Sequence, residues 1–192
     1  MEVLTDWTDR LHGECDGLDL FDLRSGATVY RVFLLPSGLE VDLAVGPAAE
    51  FGPLGPNFRT VFGEAVERQR PSQPSVSHLI GLGCHHVLHA RASIERGKVW
   101  QAEHVIHTLR DHIVGLACRR LGLESFFGRE LDSLPPQVTV PLQGALVKSV
   151  ESGELRRALG VAVGCLLIEI RSAEPGLAAK LEPVLMAASQ VR

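Results

Sequence analysis

The hydrophobic positions in the first quarter of the chain follow the pattern of β-strands. Residues 29–35 are rich in strand-forming side chains, and residues 39–45 carry leucine or valine at every second position. Pro36-Ser37-Gly38 separates these runs, which predicts an antiparallel hairpin. An earlier strand is predicted over residues 19–24, ending at a turn. In the hairpin, Asp42 lies in mid-strand on the face away from the apolar row.

Helical spacing of apolar residues replaces this pattern after residue 75. A short helix is predicted over residues 2–12, and a proline- and glycine-rich connector with one helical turn at 58–62 follows the sheet. Glycine or proline then separates five predicted helices, over residues 76–96, 98–121, 136–149, 151–172 and 175–189. Helices of this length and number typically form a bundle.

The two patterns together predict an α+β protein. Residues 1–74 form a partial sheet, with an antiparallel hairpin plus a short helix, and residues 75–192 form a C-terminal helical bundle. A sheet of this size is thin for an independent unit, because its edges and its apolar face need partners. We therefore expect that part of the sheet unit is missing.

Composition and charge narrow the class of partner. The 192 residues are 45% hydrophobic and 22% charged, with a net charge of −4, which disfavours nucleic acid and anionic membranes as partners. The start of the chain has no basic stretch followed by an apolar one, so we expect a cytoplasmic protein. Scattered cysteines predict reduced thiols, at Cys15, Cys84, Cys118 and Cys165.

An ordered set of short motifs runs along almost the whole chain. They are Tyr30-Arg31-Val32-Phe33-Leu34-Leu35-Pro36, residues 39–44, residues 50–56, residues 88–94 with Gly97, Trp100-Gln101-Ala102-Glu103 and Arg110-Asp111-His112. With this set the chain resembles a bacterial, actinobacterial-type group of nucleotidyltransferases of the aminoglycoside and lincosamide kind. The resemblance implies the DNA polymerase beta-like fold and transfer of a nucleoside monophosphate from Mg-ATP to a hydroxyl of a small acceptor.

The same resemblance implies a magnesium site. Members of the group carry a Gly-Ser turn, two aspartates one residue apart on a strand, and a third aspartate on a neighbouring strand. Asp42 matches the third aspartate, which makes it the expected Mg2+ ligand and catalytic carboxylate. The first two have no counterpart, and residues 2–12 resemble the helix that follows the metal strand in the group. We expect the chain to begin after that strand and its activity to be impaired.

Three further residues are candidates for the acceptor and nucleotide site. Glu103 and Arg110 are seven residues apart and share a helix face, where the carboxylate could act as general base and the arginine could bind phosphate. Arg91 is a further candidate for substrate binding. Ordinary surface salt bridges are the favoured interpretation for Glu103 and Arg110, and a solvated side chain is favoured for Arg91. The expected ligands are ATP or another nucleoside triphosphate and an aminoglycoside-like hydroxylated acceptor, and a homodimer fits the resemblance.

Two alternatives stay open. The first concerns a group of potential metal ligands on two neighbouring helices: Cys84, His85, His86, His89, His107, Asp111 and His112. These residues could form a zinc site, although a packed, partly exposed histidine patch is the favoured interpretation. The second is a truncated, non-catalytic homologue that serves as a small-ligand or protein-interaction module.

Overall fold

The structure is a computed structural model that describes residues 2–53, 58–68 and 73–190, apart from the side chain at position 127. The chain divides into two compact units, Met1–Ser72 and Gln73–Arg192. The first contains a helix and an antiparallel sheet, and the second is helical. The α+β class and the C-terminal location of the helices are confirmed.

The first unit is a helix followed by a three-stranded meander with strand order β1-β2-β3. Its elements are α1 (Glu2–Cys15), β1 (Leu18–Ser25), β2 (Thr28–Leu34) and β3 (Glu40–Val45). Both strand pairs are antiparallel, and a bulge lies between Asp19 and Phe21 of β1. The strand-forming runs of the sequence thus become the strands of a single sheet.

Helix α1 packs on one face of this sheet. Leu4 and Thr8 are the buried residues of the helix, and Phe33 of β2 is completely buried. The ring of His12 meets Phe33 edge-on, with 6.0 Å between ring centroids. Arg31 lies on the same side, because its Nη1 donates a hydrogen bond of 3.0 Å to the Thr8 hydroxyl. Helix α1 thereby packs against one face of the small sheet.

The connector differs from the prediction. Its described residues contain a 3-10 turn at Ala48–Glu50, whereas residues 58–62 are not helical. The predicted turn at 58–62 was wrong because a run this short lacks the hydrogen bonds and packing that offset helix nucleation. Thr60 and Val61 also disfavour a helix through their branched Cβ atoms.

The second unit contains five α-helices among its described residues. They are α2 (Val76–Glu95), α3 (Val99–Leu121), α4 (Pro136–Gly144), α5 (Ser152–Ala173) and α6 (Pro175–Ser189). Gly97 turns the chain between α2 and α3 with φ of 68°, a left-handed conformation that glycine adopts without strain. The completely buried side chains come mainly from α3 and α5 and include Ile106, Leu109, Leu159 and Leu166.

Helix α4 is shorter than predicted, since it ends at Gly144 and not at residue 149. Side chains of α5 form hydrogen bonds with the backbone groups at and beyond the end of α4. Arg157 donates to the carbonyls of Gly144 and Leu146 at 2.6 and 2.9 Å, and Glu154 accepts from the Lys148 amide at 2.9 Å. These bonds replace the helical ones, so the chain satisfies its backbone without continuing the helix. No helix within the described ranges is long and apolar enough to cross a membrane.

Candidate functional site

Asp42 lies exposed in the middle of β3. Along this strand Glu40, Asp42 and Ala44 are exposed, while the alternate positions are half-buried, as the hydrophobic pattern predicts. Glu40 and Asp42 therefore present two carboxylates on one face, two positions apart. Asp42 is the register partner of Val32 on β2.

This pair of carboxylates is not a complete metal site. Within residues 2–53, 58–68 and 73–190, no group of three or more histidine, cysteine, aspartate or glutamate side chains is placed to hold a metal ion. Mg2+ favours a near-octahedral shell of oxygen atoms, of which one or two carboxylates supply only a part. Asp42 could hold magnesium only together with oxygen atoms of a bound nucleotide, water or further residues.

A salt bridge that sequence reasoning missed fixes the other side of the sheet unit. Arg31 binds Asp22 through two hydrogen bonds of 2.7 Å, from Nε to Oδ1 and from Nη2 to Oδ2. The hydrogen bond from Arg31 holds the pKa of Asp22 below its usual value. The two-residue turn between Ser25 and Thr28 sets this register, so the pairing of 22 with 31 could have been read from the sequence.

On α3, Glu103, His107 and Arg110 follow one another at helical spacing. Nη2 of Arg110 lies 2.6 Å from Nδ1 of His107, and Nη1 donates to the Ala145 carbonyl at 3.4 Å. Because a guanidinium only donates, His107 accepts at Nδ1 and carries its proton on Nε2. Glu103 is half-buried one turn earlier. This face of α3 combines a carboxylate with an oriented arginine.

Arg91 is engaged elsewhere. Its Nε lies 2.8 Å from Oε1 of Glu95, one turn along α2, and both side chains are 44% exposed. This is the geometry of an ordinary helix-surface salt bridge, which contributes little to stability. Substrate binding by Arg91 stays a prediction. The candidates are thus distributed over both units, with Asp42 in the first and Glu103, Arg91 and Arg110 in the second.

Histidine rings do meet between α2 and α3. The centroids of His86 and His112 are 4.8 Å apart, and those of His85 and His89 are 4.7 Å apart. His86 donates from Nδ1 to the Leu82 carbonyl at 2.7 Å. These contacts form a packed patch in which His85 and His89 are exposed and His86 and His112 are half-buried.

His112 is the most constrained member of this patch. Its Nε2 is buried and has no hydrogen-bond partner among the described atoms. Burial lowers the pKa of His112, with the nearby His86 and His78 adding to the effect and Asp111 opposing it. The neutral form of the ring is therefore favoured in the fold.

A cavity at the other end of the α2–α3 pair was not anticipated from the sequence. It has a volume of about 420 Å³ and is lined by Val76, Leu116, Arg119, Arg120, Glu169, Ser172, Ala173 and Glu174. Glu169 is only 4% exposed and binds Arg120 through two hydrogen bonds of 2.9 and 2.8 Å. A glutamate within the otherwise apolar 161–170 run is the sequence signal that could have indicated a buried ion pair.

Comparison with known proteins adds no identification. No protein-family model matches the chain, and no curated protein matches it.

Proposed function

We propose that the chain is a nucleotidyltransferase-family protein, of the kind that transfers a nucleoside monophosphate from Mg-ATP to a hydroxyl of a small, aminoglycoside-like acceptor. The single observation behind this proposal is the position of Asp42. It is exposed in the middle of the hairpin's second strand, where the resembling group carries its third aspartate. A helical unit that carries Glu103 follows in the chain.

The proposed reaction is an in-line displacement at the α-phosphorus. The acceptor oxygen forms a bond to phosphorus, the bond to the β-phosphate oxygen breaks, and pyrophosphate leaves with that electron pair. Magnesium, when bound, neutralises charge on the phosphates. Asp42 would provide a metal ligand, and Glu103 would take the proton of the acceptor hydroxyl. Arg110, oriented by His107, would contact phosphate.

We further propose that this chain of 192 residues is impaired in this reaction. Its sequence contains no Gly-Ser turn followed by Asp-x-Asp. The aspartates nearest in sequence that could substitute are already engaged on the sheet. Asp19 lies 2.7 Å from Nε2 of His12, and Asp22 uses both oxygens on Arg31. Both aspartates are therefore already held by a basic side chain of the sheet unit, and their spacing of three residues differs from that of Asp-x-Asp.

Calorimetric titration with Mg-ATP tests this proposal. The chain of 192 residues should give little heat. A chain extended by its in-frame upstream codons, if these encode the Asp-x-Asp segment, should bind Mg-ATP. This longer chain should also release pyrophosphate when an acceptor is present. Asp42→Asn in the extended chain should abolish release. Asp9→Asn, which changes an exposed aspartate of α1, is the matched control and should leave release unchanged.

The other outcomes distinguish the alternatives. If the chain of 192 residues binds Mg-ATP and Asp42→Asn removes this binding, the two carboxylates of the Asp-x-Asp segment are not required. Full pyrophosphate release by the extended chain with Asp42→Asn would refute the role of Asp42. Silence from both chains would favour the non-catalytic homologue, a small-ligand or protein-interaction module.

A further inference from the structure

The cavity between α2, α3 and α5 combines an apolar wall with two pairs of opposite charges. Val76 and Leu116 supply the apolar part, and both belong to the helical unit. Its charged lining residues are Arg119, Arg120, Glu169 and Glu174. Their formal charges cancel, so the cavity favours neither a simple anion nor a simple cation.

One of the two charge pairs is already neutralised. Arg120 and Glu169 face each other through parallel hydrogen bonds, a geometry that fixes the plane of the guanidinium. The hydrogen bond to Glu169 also raises the pKa of Arg120 further. Because Glu169 is buried at the base of this pair, Arg120 is held in place and its Nη1 remains available to a ligand.

The other two charges have no such compensation. Neither Arg119 nor Glu174 makes a side-chain hydrogen bond or ion pair with the described residues, and both line the cavity. Arg119 occupies the last turn of α3, where a cation favours the helix dipole. Glu174 is likewise exposed, and the two side chains give the cavity one cation and one anion beside the Arg120–Glu169 pair.

We infer that this cavity binds a small zwitterion of the α-amino-acid class with an apolar side chain. The ligand carboxylate would lie against Arg119 and the Nη1 of Arg120, and its ammonium group against Glu174. Its side chain would contact Val76 and Leu116. Both charges of such a ligand find a partner, and a volume of about 420 Å³ accommodates a molecule of this size. This inference is independent of the proposed transferase activity.

Three related probes test the zwitterion requirement by calorimetry. L-Leucine carries both charges, 4-methylpentanoate lacks the ammonium group, and 3-methylbutylamine lacks the carboxylate. L-Leucine should bind, and each truncated probe should bind at least about tenfold more weakly, the loss expected for one charged contact. Equal binding of 4-methylpentanoate and L-leucine would overturn the zwitterion assignment, as would no heat from any probe at about 10 mM.

Variants then locate the site. Arg119→Gln should reduce L-leucine affinity toward that of 3-methylbutylamine, because Arg120 still contacts the carboxylate, and Glu174→Gln should reduce it to that of 4-methylpentanoate. Lys180→Gln, on the exposed surface of α6, is the control and should leave affinity unchanged. All substituted side chains are exposed, and unchanged thermal melting confirms that the variants fold. Unaltered L-leucine binding in both cavity variants would refute the site.

Discussion

The sheet unit and the helical unit differ in how their cores are built. Among the residues that the structure describes, twelve large side chains are completely buried, and one of these, Phe33, belongs to the sheet unit. Every residue of β1 is exposed, including Phe21 and Leu23 at 56% each. The helical unit instead distributes its burial over α2, α3, α5 and α6. The core of the small sheet thus consists of Phe33 with a few smaller or less buried side chains (Leu4, Val29 and Val32), whereas the bundle core contains many completely buried side chains.

The largest effect is expected from Phe33→Ala. Removing the one large side chain that is completely buried in the described part of the sheet unit should lower the free energy of unfolding of this unit by about 3–5 kcal/mol. Phe21→Ala removes the same group from an exposed position of the adjacent strand and should change stability by less than about 0.5 kcal/mol. Urea unfolding followed by circular dichroism measures both. Similar losses for the two variants would show that β1 is covered in solution.

Leu159→Ala should cost about 2–5 kcal/mol, because this side chain of α5 is completely buried in the helical core. The control is Leu88→Ala on α2, which is 51% exposed and should be nearly neutral. Urea midpoints for the isolated variants supply the comparison. A loss below about 1 kcal/mol for Leu159→Ala would mean that neighbouring side chains fill the space left by the leucine. The helical core would then tolerate a large-to-small substitution much better than the sheet unit tolerates Phe33→Ala.

Arg120→Gln comes next, since it leaves the buried carboxylate of Glu169 without its partner. A loss of about 1–3 kcal/mol is expected for an unpaired buried acceptor. Arg119→Gln, one residue earlier and exposed, should change stability by less than about 0.5 kcal/mol. Thermal melting of the two variants measures both changes in stability. An equal effect of both substitutions would mean that helix-dipole charge, and not the ion pair, matters here.

The smallest effect concerns pH. Because the folded-state pKa of His112 lies below its unfolded value of about 6.5, the native state binds protons less readily than the unfolded state. The stability contributed by the neutral His112 ring is complete above the unfolded pKa of about 6.5, and it is lost as the pH falls toward the folded-state pKa. His112→Gln should flatten the change in urea midpoint between about pH 7.5 and 5.5. The control is His104→Gln, which changes an exposed histidine eight residues earlier on α3 and should retain the wild-type slope.

Sequence reasoning predicted the elements better than their chemistry. Alternation along β3 placed Asp42 on the exposed face, and helical spacing located α2 and α3 to within a few residues. Both depend on local periodicity. The end of α4 and the cavity depend on contacts between distant residues, such as Arg157 with Gly144 and Arg120 with Glu169. No local pattern contains that information.

The same limit applies to the candidate site. Helical spacing correctly placed Glu103, His107 and Arg110 in succession along α3, since one helix carries all three. It could not show that Arg91 would pair with Glu95, because either a ligand or a neighbouring carboxylate satisfies an arginine equally well. The roles of Asp42 and Glu103 depend on a bound nucleotide and acceptor and remain predictions.

The tight turn at Gly97 also bears on how the helical unit folds. It joins two long antiparallel helices through only Arg96, Gly97 and Lys98, so the entropy lost on closing this loop is small. Contacts between residues close in sequence form early, and we expect the α2–α3 pair to be structured in the transition state. Val87→Ala and Ile106→Val should therefore slow refolding, whereas Leu185→Ala in α6 should mainly accelerate unfolding in stopped-flow measurements.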